Sequence, residues 1–279
     1  MVAPAYDPTT YKLTSMRNWD VVAPDYHSSW AGIGKGPFRS TAELVRAAEI
    51  RTGVSVLDVA CGTGAVSAAV MKKLGNSGSL LGIDFSRGAL AVARTSLPLA
   101  QFIQMDAENI GLFGRHFDNI LCQYGLMFFP DAHKVLLSLR KLLKPGGRLS
   151  LAVHGTAEGV PYFSTIMKPV LEFIPDIRPS GAPTVHRFGE PHDLRQILGN
   201  SGYRQISITK FSFDYQAGTF DQYWSDYLST TASSIRARIE SSRNICNSIK
   251  ERALERARGF MHDGKIEFPW DVLIATAQV

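Results

Sequence analysis

Cysteine is scarce in this sequence, and that scarcity excludes two kinds of architecture. The three present, Cys61, Cys122 and Cys246, are odd in number, widely spaced and without a C-x-x-C pair. Neither a disulfide framework nor a thiolate zinc site is indicated, and a reducing compartment is. No run of about 18 apolar residues is available to cross a bilayer. The opening MVAPAYDPTT has no basic segment leading into an apolar run, which reads as a cytoplasmic chain with no transmembrane segment. Clustered metal ligands are missing too, since Asp131 and His133 alone do not make a site. A large excess of either charge is lacking: 30 basic and 25 acidic residues leave a net charge of +5. Much of that excess sits in one stretch, Arg236, Arg238, Arg243, Lys250, Arg252, Arg256 and Arg258. The stretch reads as a solvated helical face before it reads as a docking patch, and no nucleic acid is expected as a partner.

What the chain does have is length and apolar content for a large core, 279 residues with 45% hydrophobic composition, and one organising motif, VLDVACGTGAVS at residues 56–67. Residues 54–59 are short, β-branched and apolar and predict a buried strand; the glycines after them predict a loop opening a helix. Gly62 and Gly64 lack a Cβ, so the backbone can turn sharply and approach a ligand, and the helix that follows presents free N–H groups. Asp58 decides the ligand. A helix N-terminus favours anions, and a fixed carboxylate just before it opposes a pyrophosphate. The dinucleotide fingerprint G-x-G-x-x-G is also broken, with Ser67 at its last position. S-adenosylmethionine brings a sulfonium and an ammonium and no phosphate, so here a carboxylate helps.

Further along, strands and helices alternate. Ser40 and Thr41 signal a helix start; residues 65–74 predict a helix, 79–83 a second strand ending in Asp84, and Ser86 caps the next helix. A carboxylate at that strand tip can accept hydrogen bonds from both ribose hydroxyls of an adenosine, although turns also carry Asp there for ordinary reasons. Phe85 lies against adenine or simply packs. Residues 100–105 predict strand three, ending at Asp106 and Ala107. Asp106 either accepts from the adenine amino group or caps the short segment that follows. Residues 117–122 predict strand four, running into Gln123. Asp or Asn followed by two prolines and an aromatic, usual at this place in enzymes that methylate nucleic-acid amino groups, is absent, which favours a small acceptor. After a helix at 131–143, residues 148–153 predict strand five with His154 at its tip. Prolines interrupt the alternation at 155–187; a helix then resumes at 189–202, strand six follows at 203–215, and further helices occupy 217–258. A last strand closes at 266–279, with Pro269 placing part of it at an edge. The aromatic-rich residues 8–30 either cap the core or cover the cofactor.

The motifs LDVACGTG (57–64), GID (82–84), QMDAE (104–108), Phe117-Asp118 and LKPGGRL (143–149) resemble class I S-adenosylmethionine-dependent methyltransferases of the ubiquinone/menaquinone-biosynthesis C-methyltransferase-like group. The resemblance spans residues 50–155. It implies an α/β fold with a seven-stranded, mostly parallel, doubly wound Rossmann-like sheet, its last strand inserted antiparallel; a helical lid is expected from the proline-interrupted residues 155–187 and the helices after 217, which lie outside the resemblance. It implies S-adenosyl-L-methionine as cofactor, with Asp58, Gly62, Thr63 and Gly64 around the methionine part, Asp84 at the ribose, Asp106 and Ala107 at adenine, and Gln123 near the sulfonium. Ala60 and Phe85 complete the expected cofactor set, with Tyr26 from the aromatic segment.

The whole chain, 1–279, is expected to be a single methyltransferase domain. Its parts are an N-terminal cofactor-covering segment (1–39), a cofactor-binding core (40–154) and lid or substrate insertions at 155–187 and 217–262. The expected activity is C- or O-methylation of a small, partly apolar acceptor by a monomer or homodimer. An RNA or protein methyltransferase and a non-catalytic cofactor-binding protein are the alternatives. For an oxygen or enolate-like nucleophile a base is useful. His154 is best placed for that role and would titrate near the ordinary histidine value of about 6.5, with His27 and His186 further off.

Overall fold

A computed structural model of the chain describes residues 6–32 and 34–279; the first residues of the expected N-terminal segment lie outside them. Helices are α1 (Pro8–Tyr26), α2 (Thr41–Ala47), α3 (Ala65–Leu74), α4 (Arg87–Ser96), α5 (Ala132–Leu142), α6 (Pro161–Phe173), α7 (Pro191–Asn200), α8 (Phe220–Asp226), α9 (Ser233–Ile239) and α10 (Arg243–Ala257). Strands are β1 (Ser55–Val59), β2 (Ser79–Asp84), β3 (Gln101–Gln104), β4 (Phe117–Gln123), β5 (Leu143–His154), β6 (Arg204–Gly218), β7 (Met261–His262) and β8 (Lys265–Gln278).

The strands form one sheet in the order β3-β2-β1-β4-β5-β8-β6, with the two-residue β7 folded back on β8. The first five strands in that order are parallel, and β8 runs antiparallel between β5 and β6. The sheet is therefore the doubly wound Rossmann-like one expected, with β7 as an eighth, very short strand. Strand order reverses between β1 and β4, and the crevice beyond their carboxyl ends is where such sheets bind ligands.

The inner parallel strands form where they do because they are apolar on both faces: Val56, Leu57 and Val59 of β1 are fully buried, whereas the edge strand β3 buries only Phe102. The helices flanking them are amphipathic. In α5 the buried Ala132, Val135, Leu136 and Leu139 fall three and four residues apart on one stripe, and Asp131 caps the start by accepting from the Lys134 amide. Ser86 caps α4 in the same way through the Ala89 amide. Pro269 has its predicted place at a local edge. Although β8 lies inside the sheet, β5 ends with His154 opposite Val272, so at Pro269 the strand pairs only with Asp214 of β6.

Two parts were not legible as elements. Residues 8–26 form a 19-residue helix, capped by Asp7 through the Thr9 and Thr10 amides, with Pro8 at its first position. The proline-rich residues 155–187 contain α6, whose buried stripe includes Tyr162, Phe163 and Ile166. This stripe sits over a mass of rings centred on the fully buried Trp270 of β8, with Tyr162 at 5.2 Å, Phe163 and Tyr215 at 5.4 Å and His154 at 5.5 Å between centroids.

Helix α1 lies against α4 at Gly88. Asp20 Oδ1 accepts from the Gly88 amide at 3.0 Å and from the Ser86 hydroxyl at 2.7 Å. A Cβ at Gly88 would overlap the Asp20 carbonyl. Backbone cannot yield there as a flexible side chain would, so Gly88→Ala is expected to lift α1 from α4. Limited proteolysis should then cut residues 6–26 faster while the remaining core stays resistant. Gly199→Ala, in α7 with open space around its Cβ, is the matched control and should be neutral or stabilising by about 0.4–1 kcal/mol.

Candidate active site

Two carboxylates stand at the ends of the adjacent strands β1 and β2. Asp58 is buried; its Oδ2 accepts from the Ser67 hydroxyl at 2.7 Å. Its Oδ1, also buried, has no hydrogen-bond partner among the described residues. Ser67 thus occupies the place of a fingerprint glycine with a side chain that holds the acid. Burial pushes the Asp58 carboxyl up to about 7, the Ser67 hydrogen bond opposing and the charge of Asp84 adding to it. Asp84 Oδ2 accepts from the Gly62 amide at 2.8 Å and Oδ1 from the Ser86 amide at 2.9 Å. Burial outweighs these bonds and lifts it to about 6.

The turn between β1 and α3 is left-handed at Ala60 (φ 53°), Gly62 (φ 53°) and Gly64 (φ 92°). Ala60 bears the strain of that conformation with a Cβ. A Cβ added at Gly62 would meet nothing within 4 Å, whereas at Gly64 it would stand 3.0 Å from Leu97 Cδ1. Gly64 is therefore needed for packing, and Gly62 leaves an open side beside the two carboxylates. Its N–H points at Asp84. The loop presents negative charge and an unpartnered acceptor atom, an arrangement that attracts a cation and repels a phosphate.

Helix α1 and the turn that follows it cross the tips of β1, β2 and β3, with a polar contact at each. Lys12 Nζ reaches Asp106 at 2.5 Å and Glu108 at 2.9 Å. Asp20 binds Ser86 and Gly88 at the α4 start, and His27 Nδ1 is 2.9 Å from Thr63 Oγ1. Asp106 also accepts from the Glu108 amide at 2.9 Å, so it caps the short turn Ala107–Asn109 as one of its readings expected. Burial opposes ionisation of Asp106, but Lys12, the Glu108 amide and the Asn109 side chain together outweigh it and hold the carboxyl below its usual range. Lys12 and Asp20 had no signal in the sequence, each being a single polar residue in an aromatic-rich helix whose partners lie 66 or more positions away.

Of the other predicted residues, Ala107 is buried and Phe85 half-buried at this rim. Tyr26, at the end of α1, packs edge-on to Trp19 and Phe38 with centroids at 5.1 and 5.7 Å. Gln123 ends β4 with both ends of its amide engaged: Oε1 accepts from Thr41 Oγ1 and Nε2 donates to Ser40 Oγ, each at 2.9 Å. Ser40, read as a helix start, therefore makes no cap hydrogen bond to α2 and serves Gln123 and the Tyr124 hydroxyl instead. Tyr124 follows with φ 59°, a strained value for a side chain of this size.

His154 is at the tip of β5 and nearly enclosed, 5% exposed. Its ring stacks on Tyr124 with centroids 4.3 Å apart, and the Trp270 indole N–H donates to its Nδ1 at 3.3 Å. An indole can only donate, so Nδ1 holds a lone pair and the neutral ring carries its proton on Nε2. Burial pushes the His154 pKa well below the ordinary value, with His186 adding to the shift. This corrects the expected role in two respects: His154 does not titrate near 6.5, and its second nitrogen is a donor. Met127, just beyond β4, is fully buried in the core. Among the described residues no group of three or more His, Cys, Asp or Glu side chains converges to hold a metal ion. In the basic C-terminal stretch, Arg236 pairs with Glu240, Arg238 with Asp176, Lys250 with Asp221 and Arg252 with Glu255.

Residues 56–147 match a family model described as a methyltransferase domain. The chain is 27% identical to demethylmenaquinone methyltransferase of Shouchella clausii over 161 residues, covering 56% of this chain and 63% of that one. It is 32% identical over 179 residues to aklanonic acid methyltransferase of Streptomyces sp. (strain C5), covering 58% of this chain and 80% of that one. Among solved structures, phosphoethanolamine N-methyltransferase 2 of Haemonchus contortus, bound to phosphomonomethylethanolamine and S-adenosylhomocysteine, shares the fold. Its TM-score is 0.53 at 14% identity, covering 86% of this chain and 52% of that one.

The buried carboxylates set a pH dependence. Both are neutral in the folded protein over a range where they ionise when unfolded, so the stability they contribute is full below about 3.8 and lost as pH rises through about 6 to 7. Between pH 5.5 and 8 these carboxylates lower the melting temperature of the free protein, while the buried His154 and His186, with lowered pKa values, act in the opposite sense, so the carboxylate component is read as a difference between wild type and variant. Asp58→Asn should remove a component on the order of a few kcal/mol from the pH dependence. Thermal melts of both proteins across this range check it; identical pH slopes would show that Asp58 is ionised at both ends.

Proposed function

The chain belongs to the class I S-adenosylmethionine-dependent methyltransferases, and we propose that it methylates oxygen or carbon on a small, partly apolar acceptor. When bound, the cofactor supplies a methyl group activated on a sulfonium sulfur. The residues present fit it on one observation above all: the buried, unpartnered Asp58 Oδ1 beside the open face of Gly62. Asp58 would take the ammonium, and the turn through Gly62, Thr63 and Gly64 would lie along the methionine part, with Ala60 at its entry. Asp84 holds one lone pair free on each oxygen after its backbone bonds, enough for two ribose hydroxyls. Phe85, Asp106 and Ala107 would border adenine and Gln123 the sulfonium side. Tyr26 and α1 would cover the groove, held by the Lys12, Asp20 and His27 contacts.

The reaction asks mainly for alignment, with nucleophile and methyl held about 3–3.5 Å apart. Tyr124, His154 and Phe163 form the wall beyond the tips of β4 and β5. Behind it, residues 155–187 and 217–262 hold one another: Tyr223 donates to the Tyr162 carbonyl at 2.5 Å and Tyr227 to the Phe163 carbonyl at 3.3 Å. Acceptor choice is assigned to these two segments, which can change without disturbing the strand tips that carry the carboxylate pair. The relatives named for demethylmenaquinone and aklanonic acid support a quinone- or polyketide-like acceptor. Pairing of Arg236, Arg238, Lys250 and Arg252 with carboxylates lowers the charge available to RNA, and three free cysteines support a reducing, cytoplasmic setting.

Calorimetry should show binding of S-adenosylmethionine and S-adenosylhomocysteine and none of NAD. Asp84→Ala should weaken both by about 1.5–3 kcal/mol, roughly 10- to 150-fold. With methyl-labelled cofactor, label should pass to a member of a panel of reduced short-chain demethylmenaquinones and hydroxylated aromatic acids. Transfer to RNA, with binding that falls steeply with salt, would replace this reading. Cofactor binding without transfer to any acceptor would make the chain a binding protein.

A further inference from the structure

His186 lies in the segment between α6 and α7 and is stitched to the residue that follows His154. Its Nδ1 is 2.8 Å from the Gly155 carbonyl. Its own carbonyl accepts from the Gly189 amide at 2.9 Å, and Gly189 lies so close to Gly155 that a Cβ there would stand 2.5 Å from the Gly155 carbonyl carbon. A carbonyl only accepts, so Nδ1 carries the ring proton and Nε2 holds a lone pair. That Nε2 is buried and has no partner among the described residues. Leaving a buried acceptor unpaired is unfavourable, and the hydrogen bond at Nδ1 already fixes the ring. Nothing in the packing uses the second nitrogen.

The two imidazoles flank one ring. Phe163 of α6 is 4.9 Å from His154 and 5.8 Å from His186 between centroids. They stand there in opposite tautomers, His154 with its proton on Nε2 and His186 with its lone pair on Nε2. Resting on the methyltransferase reading above, we propose that His186 Nε2 is the proton acceptor for a hydroxyl-bearing acceptor bound along Phe163, with His154 as a hydrogen-bond donor on the other side. The hydroxyl proton passes to Nε2. The electron pair released, on the oxygen or through conjugation on a ring carbon, forms the new bond to the methyl carbon. The carbon–sulfur bond breaks with its pair going to sulfur. Products are S-adenosylhomocysteine, the methyl ether or the keto form of the C-methylated acceptor, and imidazolium, so the positive charge moves from sulfur to His186.

The surroundings suit a base that is neutral at pH 7. Burial lowers the His186 pKa, opposed by the Gly155 carbonyl and by the charge of Glu158 in the preceding loop. Arg187, next in sequence, turns its guanidinium to the Phe129 and Pro130 carbonyls. His154 stands across Phe163 on β5, and Asp271 on β8, beyond Gly155, is taken up by Lys210 and Ser212.

His186→Asn tests this, because its amide N–H can keep the Gly155 bond while the Nε2 lone pair is lost. With the panel member the wild type methylates, kcat should fall by about 10²- to 10⁴-fold. Affinity for S-adenosylhomocysteine and the melting temperature should hold. The wild-type rise of kcat with pH should lie below pH 6.5 and be absent in the variant. A kcat within twofold of wild type, or an unchanged pH profile, overturns the proposal. Nitrogen-15 NMR of histidine-labelled protein with S-adenosylhomocysteine gives a readout independent of any acceptor. His186 with its proton on Nδ1 at pH 7 supports the assignment, and imidazolium or a proton on Nε2 refutes it. If no panel member is methylated, the functional reading fails while the NMR still decides the state of His186.

Discussion

Two carboxylates buried on neighbouring strands repel each other, and among the described residues no cationic side chain pairs with either to relieve it. Every nearby feature is a partial remedy. Ser67 donates to Asp58, and the Gly62 and Ser86 amides donate to Asp84. The N-termini of α3 and α4, where those donors belong, add the favourable field of their first turns. These remedies are incomplete, since both acids remain shifted upward and one oxygen of Asp58 is left without a donor. A ligand that brings positive charge completes the set. That asymmetry explains why the same strand, loop and helix that serve phosphates in dinucleotide sheets serve a sulfonium cofactor here.

The rest of the rim is organised around keeping this place dry. Helix α1 reaches it through polar contacts at three strand tips, while its aromatic residues Trp19 and Tyr26 continue into Trp30 and the cluster around Trp270. One helix thus joins the cofactor side to the aromatic side. Closing it buries the carboxylates further, and the desolvation that raises their pKa values strengthens any ion pair they later make. The helix is pinned by exposed or half-buried groups such as Lys12 and Asp20, contacts weak enough one by one to release for a ligand to enter.

What was legible in the sequence was whatever depends on neighbours in the chain. The strand at residues 54–59, the helix at 65–74 and the cap at Ser86 are set by short-range periodicity and local hydrogen bonding. Asp58, Gly62 and Gly64 are fixed by the motif that links them. Opaque were the pairings across the sheet. Nothing within 80 residues of Gln123 announces that Ser40 and Thr41 will occupy its amide, and Ser40 followed by Thr41 looks like a helix start however it is used. His154 was legible as a strand-tip histidine, but its tautomer depends on Trp270, 116 positions away. Helix α1 was missed because its apolar residues form no single stripe: Tyr11 packs on Tyr6, while Trp19 and Tyr26 pack on each other and on toward Trp30 and Phe38.

The two halves of the site differ in how they are held, and the difference bears on specificity. On the cofactor side each group is fixed through backbone: Asp84 by amides, Asp58 by a serine one helical turn into α3, Gly62 and Gly64 by their left-handed conformations. A side-chain change there disturbs the turn itself. Beyond β4 and β5 the wall is made of rings, Tyr124 on His154, Phe163 between two histidines and Trp270 behind, with the helices above tied by tyrosine hydroxyls to backbone carbonyls of α6. Rings in contact can be exchanged for others of similar volume at modest cost. Hydroxyls that bind backbone also do not care which side chain that backbone carries. Acceptor preference can therefore drift in this fold while Asp58 and Asp84 stay as they are. The polar atoms placed within the rings, His154 with a donor and His186 with an acceptor, are then the part of the wall least free to change, because each is set by a partner that admits only one tautomer.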